Sequence, residues 1–222
     1  MNLLLFGATG MVGRGALLEA LKDGRVRSVL VVGRQSANVN HEKVRELIHA
    51  DFFDFTAIRN EFATCDACLF CLGVSSAGMA ESEYLHKTYD LTMAAATAIA
   101  AVNTRMSFCY VSGAGTDSTE RSRTMWARVK GKTENALLRM PFKAFMFRPG
   151  FIQPRDGIKS KTALYQRFYD VLWPFYPLLS RMPRWVTDTR TLGRAMIEVA
   201  ATGYSKPILE SVDINRVGNP PS

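Results

Sequence analysis

The N-terminal run Leu3-Leu4-Leu5-Phe6-Gly7-Ala8-Thr9-Gly10-Met11-Val12-Gly13 passes from an apolar segment of strand length into three spaced glycines. It continues into Gly15-Ala-Leu-Leu-Glu-Ala-Leu21, which reads as the opening of a helix. Glycine permits a tight turn and lets the backbone approach a pyrophosphate. The helix that follows offers unpaired N–H groups and the positive end of its dipole to that anion. A glycine triplet alone is weak evidence and suits any tight strand–helix turn. Its place between strand and helix points to a dinucleotide cradle of Gly7, Thr9, Gly10, Met11, Val12 and Gly13.

Outward from this unit, strand and helix signals alternate. Further strand runs lie at 28–32, 67–72, 107–111 and 144–147, and a third strand is expected to end at Asp51-Phe52. Helical patterns cover 13–22, 83–102 and 125–139, with a shorter one at 55–62. Gly33, Gly73, Gly113 and Gly150 punctuate four strand ends. This alternation predicts an α/β fold: one doubly wound, Rossmann-type parallel sheet with helices on both faces. Ligands on such sheets bind beyond the carboxyl ends of the strands, so these glycines mark the rim of one site.

The pattern changes after Gly150. Leu164, Phe168, Val171, Leu172 and Phe175 recur at helical spacing before prolines 174, 177 and 183 break the chain. Residues 151–186 are therefore expected to form a small helical cover on the substrate side, with Trp173, Tyr176 and Trp185 adding apolar contact. Such a cover favours an apolar or aromatic substrate. Residues 187–200 read as a capped helix closed by Gly203, 207–211 as a final strand, and 218–222 as a disordered tail.

The 222 residues suit a single domain spanning 1–222. A net charge of +8 favours anionic partners. The basic residues are scattered rather than clustered, so nucleic acid is not expected. Met1 leads directly into the first strand, leaving no room for a signal peptide, and no apolar stretch approaches bilayer length. A cytoplasmic location is expected. Weak peripheral membrane contact through 165–185 and a homodimer are both compatible with the sequence. Cys65, Cys68 and Cys71 lie in a short apolar run ending in glycine, and Cys109 lies in another. They read as buried, reduced thiols rather than zinc ligands.

The rim residues carry the chemistry. Arg34 follows Gly33 at the tip of the second strand, where NAD sites often hold an acid. A guanidinium there pairs with a 2′-phosphate, so NADP is expected, with NAD compatible. Arg14, in the first helical turn, suits either the phosphate field or the surface. Asp51 and Phe52 could flank the adenine, while Phe53 and Phe55 are assigned to the core.

Four segments now stand together: Gly7-Ala-Thr-Gly10-Met-Val-Gly13, Val111-Ser112-Gly113, Lys130-Gly-Lys-Thr-Glu134 and Arg148-Pro149-Gly150. With them the chain resembles the short-chain dehydrogenase/reductase superfamily, over nearly its whole length. It is similar to the atypical, epimerase-like branch that includes Tat-interacting-protein-like oxidoreductases. The resemblance implies that Lys130 bonds the nicotinamide ribose and Ser112 holds the substrate carbonyl or hydroxyl. It places Leu72 and Gly73 beside the adenine ribose, and Pro149, Gly150 and Phe151 near the nicotinamide.

One departure matters. The family's catalytic tyrosine stands four residues before the lysine, and this chain has Trp126 there. A phenol gives and takes a proton, whereas an indole only donates a hydrogen bond. Tyr110, Tyr84 and Tyr89 are candidate substitutes. Two functions follow: an NADP-dependent oxidoreductase or epimerase-like enzyme with altered acid/base chemistry, or a non-catalytic protein that senses NADPH or scaffolds a partner.

Overall fold

The computed structural model describes residues 1–158 and 185–220. Seven parallel strands form its sheet: β1 (Asn2–Phe6), β2 (Ser28–Gly33), β3 (Val44–Ile48), β4 (Ala67–Phe70), β5 (Ser107–Val111), β6 (Lys143–Arg148) and β9 (Ile208–Glu210). Their order is β3-β2-β1-β4-β5-β6-β9. The chain runs outward from β1 to β3, then returns to lay β4 against the other side of β1. That reversal opens a crevice at the carboxyl ends of β1 and β4, where the glycine turn sits.

The alternation of β1 builds both layers. Leu3 and Leu5 face a core with α1 (Met11–Lys22) and α5 (Thr189–Thr202). Leu4 and Phe6 face a second core with α3 (Leu91–Ala100) and α4 (Met125–Leu138). All four side chains are essentially inaccessible. Full burial of each contributes roughly 1.5–3 kcal/mol. Around Phe6 stand Phe52, Phe55, Phe62 and Phe70, largely edge-on.

Several boundaries differ from the sequence reading. The first helix begins at Met11, not Gly13. The 83–102 helix is divided: α2 (Glu81–Leu85), a π turn over His86–Asp90, then α3. The 55–62 helix reduces to one 3₁₀ turn at Arg59–Phe62, because Phe55 and Phe62 both turn into the cluster around Phe6. The third strand ends at Ile48, short of Asp51-Phe52.

A two-stranded parallel sheet, β7 (Phe151–Gln153) with β8 (Val186–Asp188), was not anticipated; three-residue strands carry too little periodicity. The expected helix after it is present, capped by the Asp188 side chain, which accepts from the Thr191 N–H at 2.8 Å. The expected disordered tail starts too early. Gly218 is buried and closes α6 (Ser211–Gly218), where a Cβ would strike the Thr191 carbonyl. Of the expected cover, Leu164, Phe168, Val171, Leu172, Phe175, Trp173 and Tyr176 lie outside the described residues. No helix among the described residues is long and apolar enough to cross a membrane.

Candidate functional site

The glycine turn has the shape of a cradle. Gly7 sits at φ +84°, and a Cβ there would lie 2.8 Å from the Cys71 carbonyl carbon and oxygen at the end of β4. A Cβ at Gly13 would run into the Gly7 carbonyl oxygen. The Gly10 N–H closes the turn onto Gly7 O at 2.9 Å. Gly10 is also the N-cap of α1 and brings no capping side chain. The first N–H groups of α1 thus receive no side-chain cap, the arrangement that suits a phosphate. Thr9 is exposed at the tip, and Met11 and Val12 are half-buried behind it.

At the end of β2, Arg34 is exposed beside Gly33. Arg14 is not a loose surface residue: it donates to the Ala37 carbonyl at 2.9 Å and ties the first turn of α1 to the loop after β2. Asp51 is exposed, and its Oδ1 accepts from the Phe53 N–H at 2.8 Å. The two phenylalanines differ from the sequence reading. Phe52 belongs to the buried aromatic core, so its ring does not flank the rim. Phe53, expected inside, is 44% exposed and stacks on His86 at 4.2 Å. Leu72 is half-buried and its N–H borders Gly7, while Gly73 is exposed with open space around its Cα.

The other end of the rim is organised by α4. The Lys130 ammonium donates to the Ser112 carbonyl at the end of β5. Burial brings the Lys130 pKa down from 10.5 to about 8, against the upward pull of the Glu134 charge. One turn further on, Glu134 is fully buried. Its Oε1 accepts the Ser112 hydroxyl at 2.5 Å, and its Oε2 accepts Arg148 Nη2 at 2.5 Å. Arg148 also donates to Ser118 Oγ at 2.5 Å and lies 3.4 Å from Glu210. Burial works against the Arg148 charge, but the hydrogen bonds and charges of Glu134 and Glu210 together outweigh it and the net pKa moves up. Ser112 is therefore gripped twice by α4, at its carbonyl and at its hydroxyl.

Trp126 stands one turn before Lys130. Its ring edge packs against Gly115, 3.3 Å from where a Cβ would be, in the loop that leaves β5. That loop is fastened by Asp117. Its carboxylate accepts the Thr119 hydroxyl and the N–H groups of Thr119, Arg121 and Ser122, which hold its pKa down near 2. The missing Cβ of Gly131 leaves room for the Asp117 carbonyl against α4.

The three candidate tyrosines are held elsewhere. Tyr110 and Tyr84 are at most 2% exposed, and burial pushes the Tyr110 pKa up. Tyr89 lies under the Lys132 ammonium, 4.8 Å from it, and Lys132 projects from α4 in a different direction from Lys130.

Pro149 is buried and its carbonyl accepts the Ala114 N–H at 2.8 Å, locking the β6 exit to the β5 exit. The Gly150 N–H donates to Ser211 Oγ at 2.7 Å, and the Phe151 N–H to the Trp185 carbonyl at 2.8 Å. Ser112, Lys130 and Pro149 thus gather at the exits of β5 and β6, with Trp126 against the loop that leaves β5. Glu134 and Arg148 stand in the quoted motifs, and the resemblance assigns them no role. The available signal was a Glu four residues after the Lys, and an Arg closing an otherwise apolar strand: a buried charge needs a partner. Among the described residues no group of three His, Cys, Asp or Glu side chains could hold a metal.

Residues 7–164 match the NAD(P)H-binding family, which covers the glycine turn, Arg34, Ser112 and Lys130. The chain belongs to this family. Solved structures with the same fold include a UDP-glucose 4-epimerase, at 15% identity, a TM-score of 0.69, 97% of this chain and 80% of that one. Another is the Bordetella bronchiseptica enzyme WbmF in complex with NAD+, at 15% identity, a TM-score of 0.66, 96% of this chain and 76% of that one. A third is a thiolation-reductase di-domain from an archaeal non-ribosomal peptide synthetase, at 14% identity, a TM-score of 0.67, 90% of this chain and 67% of that one. Family and fold agree with the short-chain dehydrogenase/reductase resemblance and with a nicotinamide dinucleotide as the cofactor.

Proposed function

We propose that this chain is an NADP(H)-dependent oxidoreductase or epimerase-like protein whose chemistry runs without the family's tyrosine. The uncapped, glycine-built start of α1 carries the cofactor reading: the missing Cβ atoms let the turn fold tightly onto the Gly7 and Cys71 backbone, and no capping side chain competes with a phosphate for the first N–H groups of the helix. Gly7 to Gly13 would hold the phosphates. Arg34 would take the 2′-phosphate, Asp51 and Gly73 would border the adenosine half, and Lys130 would bond the nicotinamide ribose. Pro149, Gly150 and Phe151 would wall the nicotinamide. When bound, the dinucleotide supplies or accepts hydride.

What this chain's residues contribute to a proton step is restricted. Trp126 can donate a hydrogen bond but not titrate usefully. The Ser112 hydroxyl proton is directed at Glu134. Losing a positioned acid costs on the order of a hundredfold to ten-thousandfold in rate. The inward Ser112 favours the second reading, a protein that binds NADPH as a sensor or scaffold. The cover over 151–186 and its preference for apolar or aromatic substrates belong to the same proposal. Assaying aromatic aldehydes, ketones and quinones with NADPH tests it. Slow or absent turnover in the wild type, rising in Trp126→Tyr, is the expected result. Rapid turnover unaltered in Trp126→Phe would refute the role given to position 126.

A further inference from the structure

The rim holds a fully buried carboxylate that no contact with a ligand requires. Glu134 is 0% exposed, on the inner face of α4. A lone buried carboxylate is expensive, and this one is satisfied from two elements: by Ser112 at the end of β5, and by the Arg148 guanidinium at the end of β6. Lys130, one helical turn before it, hangs on the Ser112 carbonyl. The two α4 side chains therefore close on one residue of β5, with Arg148 bracing the clamp from behind.

We propose that Glu134 is the positioning residue of the nicotinamide side: it draws the Ser112 hydroxyl into the core and fixes the Lys130 ammonium at the rim. The inference rests on the reading that Lys130 faces the nicotinamide ribose. A charge on the helix side of Lys130 keeps an ammonium in a place where burial disfavours it. The groups around the clamp are few. Glu134 acts on Lys130 from the same helix, and Arg148 from β6 is bound to the far side of that carboxylate. Glu210 from β9 meets Arg148, while Tyr110 from β5 is pushed up in pKa chiefly by burial, then by Tyr84 of α2 and by the same carboxylate. Ser112 turned inward also explains how a chain with the family's serine can lack its hydroxyl on the substrate side.

The test reads ionisation and cofactor binding, not turnover. Lys130 is followed by ¹⁵N-lysine NMR across pH 6 to 10 in the ligand-free chain, assigned with Lys130→Arg. NADPH is titrated by calorimetry at pH 7.5. In the wild type the Lys130 midpoint lies near 8. Glu134→Gln moves it down. A fall of one unit leaves about a third as much ammonium at pH 7.5, so NADPH binds about threefold more weakly. Glu134→Asp keeps the charge and restores the midpoint. If Glu134→Gln does not fold because Arg148 is stranded, Glu134→Gln/Arg148→Met removes both charges and shows the same downward midpoint. Lys130→Ala separates the two claims. If it leaves NADPH affinity unchanged, the ribose reading falls and the inference with it. If it weakens NADPH while Glu134→Gln alters neither midpoint nor affinity, the ribose reading stands and the role of Glu134 is overturned.

Discussion

Replacing Lys130 with methionine should make the chain more stable and unable to bind NADPH well. The lysine carries its charge in a buried place, and the fall of its pKa from 10.5 to about 8 measures the penalty. That fall corresponds to roughly 3 kcal/mol. Methionine removes the charge and fills similar space, but forfeits the hydrogen bond to the Ser112 carbonyl, about 1 kcal/mol. The net gain is roughly 2 kcal/mol, or about 4–8 °C in Tm for a domain of this size.

The pH dependence gives the sign. Below about pH 8 both folded and unfolded chains hold the proton, and the whole penalty stands. Between about 8 and 10.5 the unfolded chain binds more protons than the folded one, so rising pH favours folding and erodes the penalty. The advantage of Lys130→Met should be largest near pH 7 and shrink towards pH 10. Urea denaturation of both proteins at pH 7, 8.5 and 10 measures it. A mutant less stable at pH 7, or a difference indifferent to pH, would refute the claim that burial of this charge is a functional cost.

Two further outcomes follow from the same geometry. Gly13→Ala would push a methyl group into the Gly7 carbonyl and should destabilise the chain by about 1–3 kcal/mol while abolishing NADPH binding, read by thermal melting and fluorescence titration. The thiols of Cys65 and Cys71 are pushed up by burial to about 11 and about 12, and those of Cys68 and Cys109 are also raised. Native protein at pH 8 should therefore react with Ellman's reagent orders of magnitude more slowly than urea-unfolded protein; one fast native thiol would contradict the burial.

The glycine turn, the sheet strands and α4 were legible because each is a local pattern: apolar runs, a turn that only glycine fits, a helix stopped near Pro141. The roles proposed for Lys130, Ser112 and Trp126 came from the family resemblance that the short motifs around them carry. What was not legible depends on contacts across the chain. The sequence hints that Glu134 and Arg148 are buried, but that each is the other's partner shows only when β6 and α4 are brought together. Phe52 and Phe53 are neighbours in a loop, where no period decides which ring turns inward, and the structure chose Phe52. Gly131 lies unremarked inside an expected helix and Gly218 at the start of an expected disordered tail, yet each marks a place where another carbonyl presses against a helix. The inward turn of Ser112 is invisible in the motif, because the motif does not say where a hydroxyl points.

Comparing NADPH with NADH on wild type and Arg34→Ala tests the proposed NADP(H) site most directly. Arg34 is exposed, so its removal should leave Tm unchanged. Wild type should bind NADPH more tightly than NADH, and Arg34→Ala should bring NADPH down to the NADH level without altering NADH. Equal wild-type affinities, or an NADPH affinity unmoved by Arg34→Ala, would contradict it.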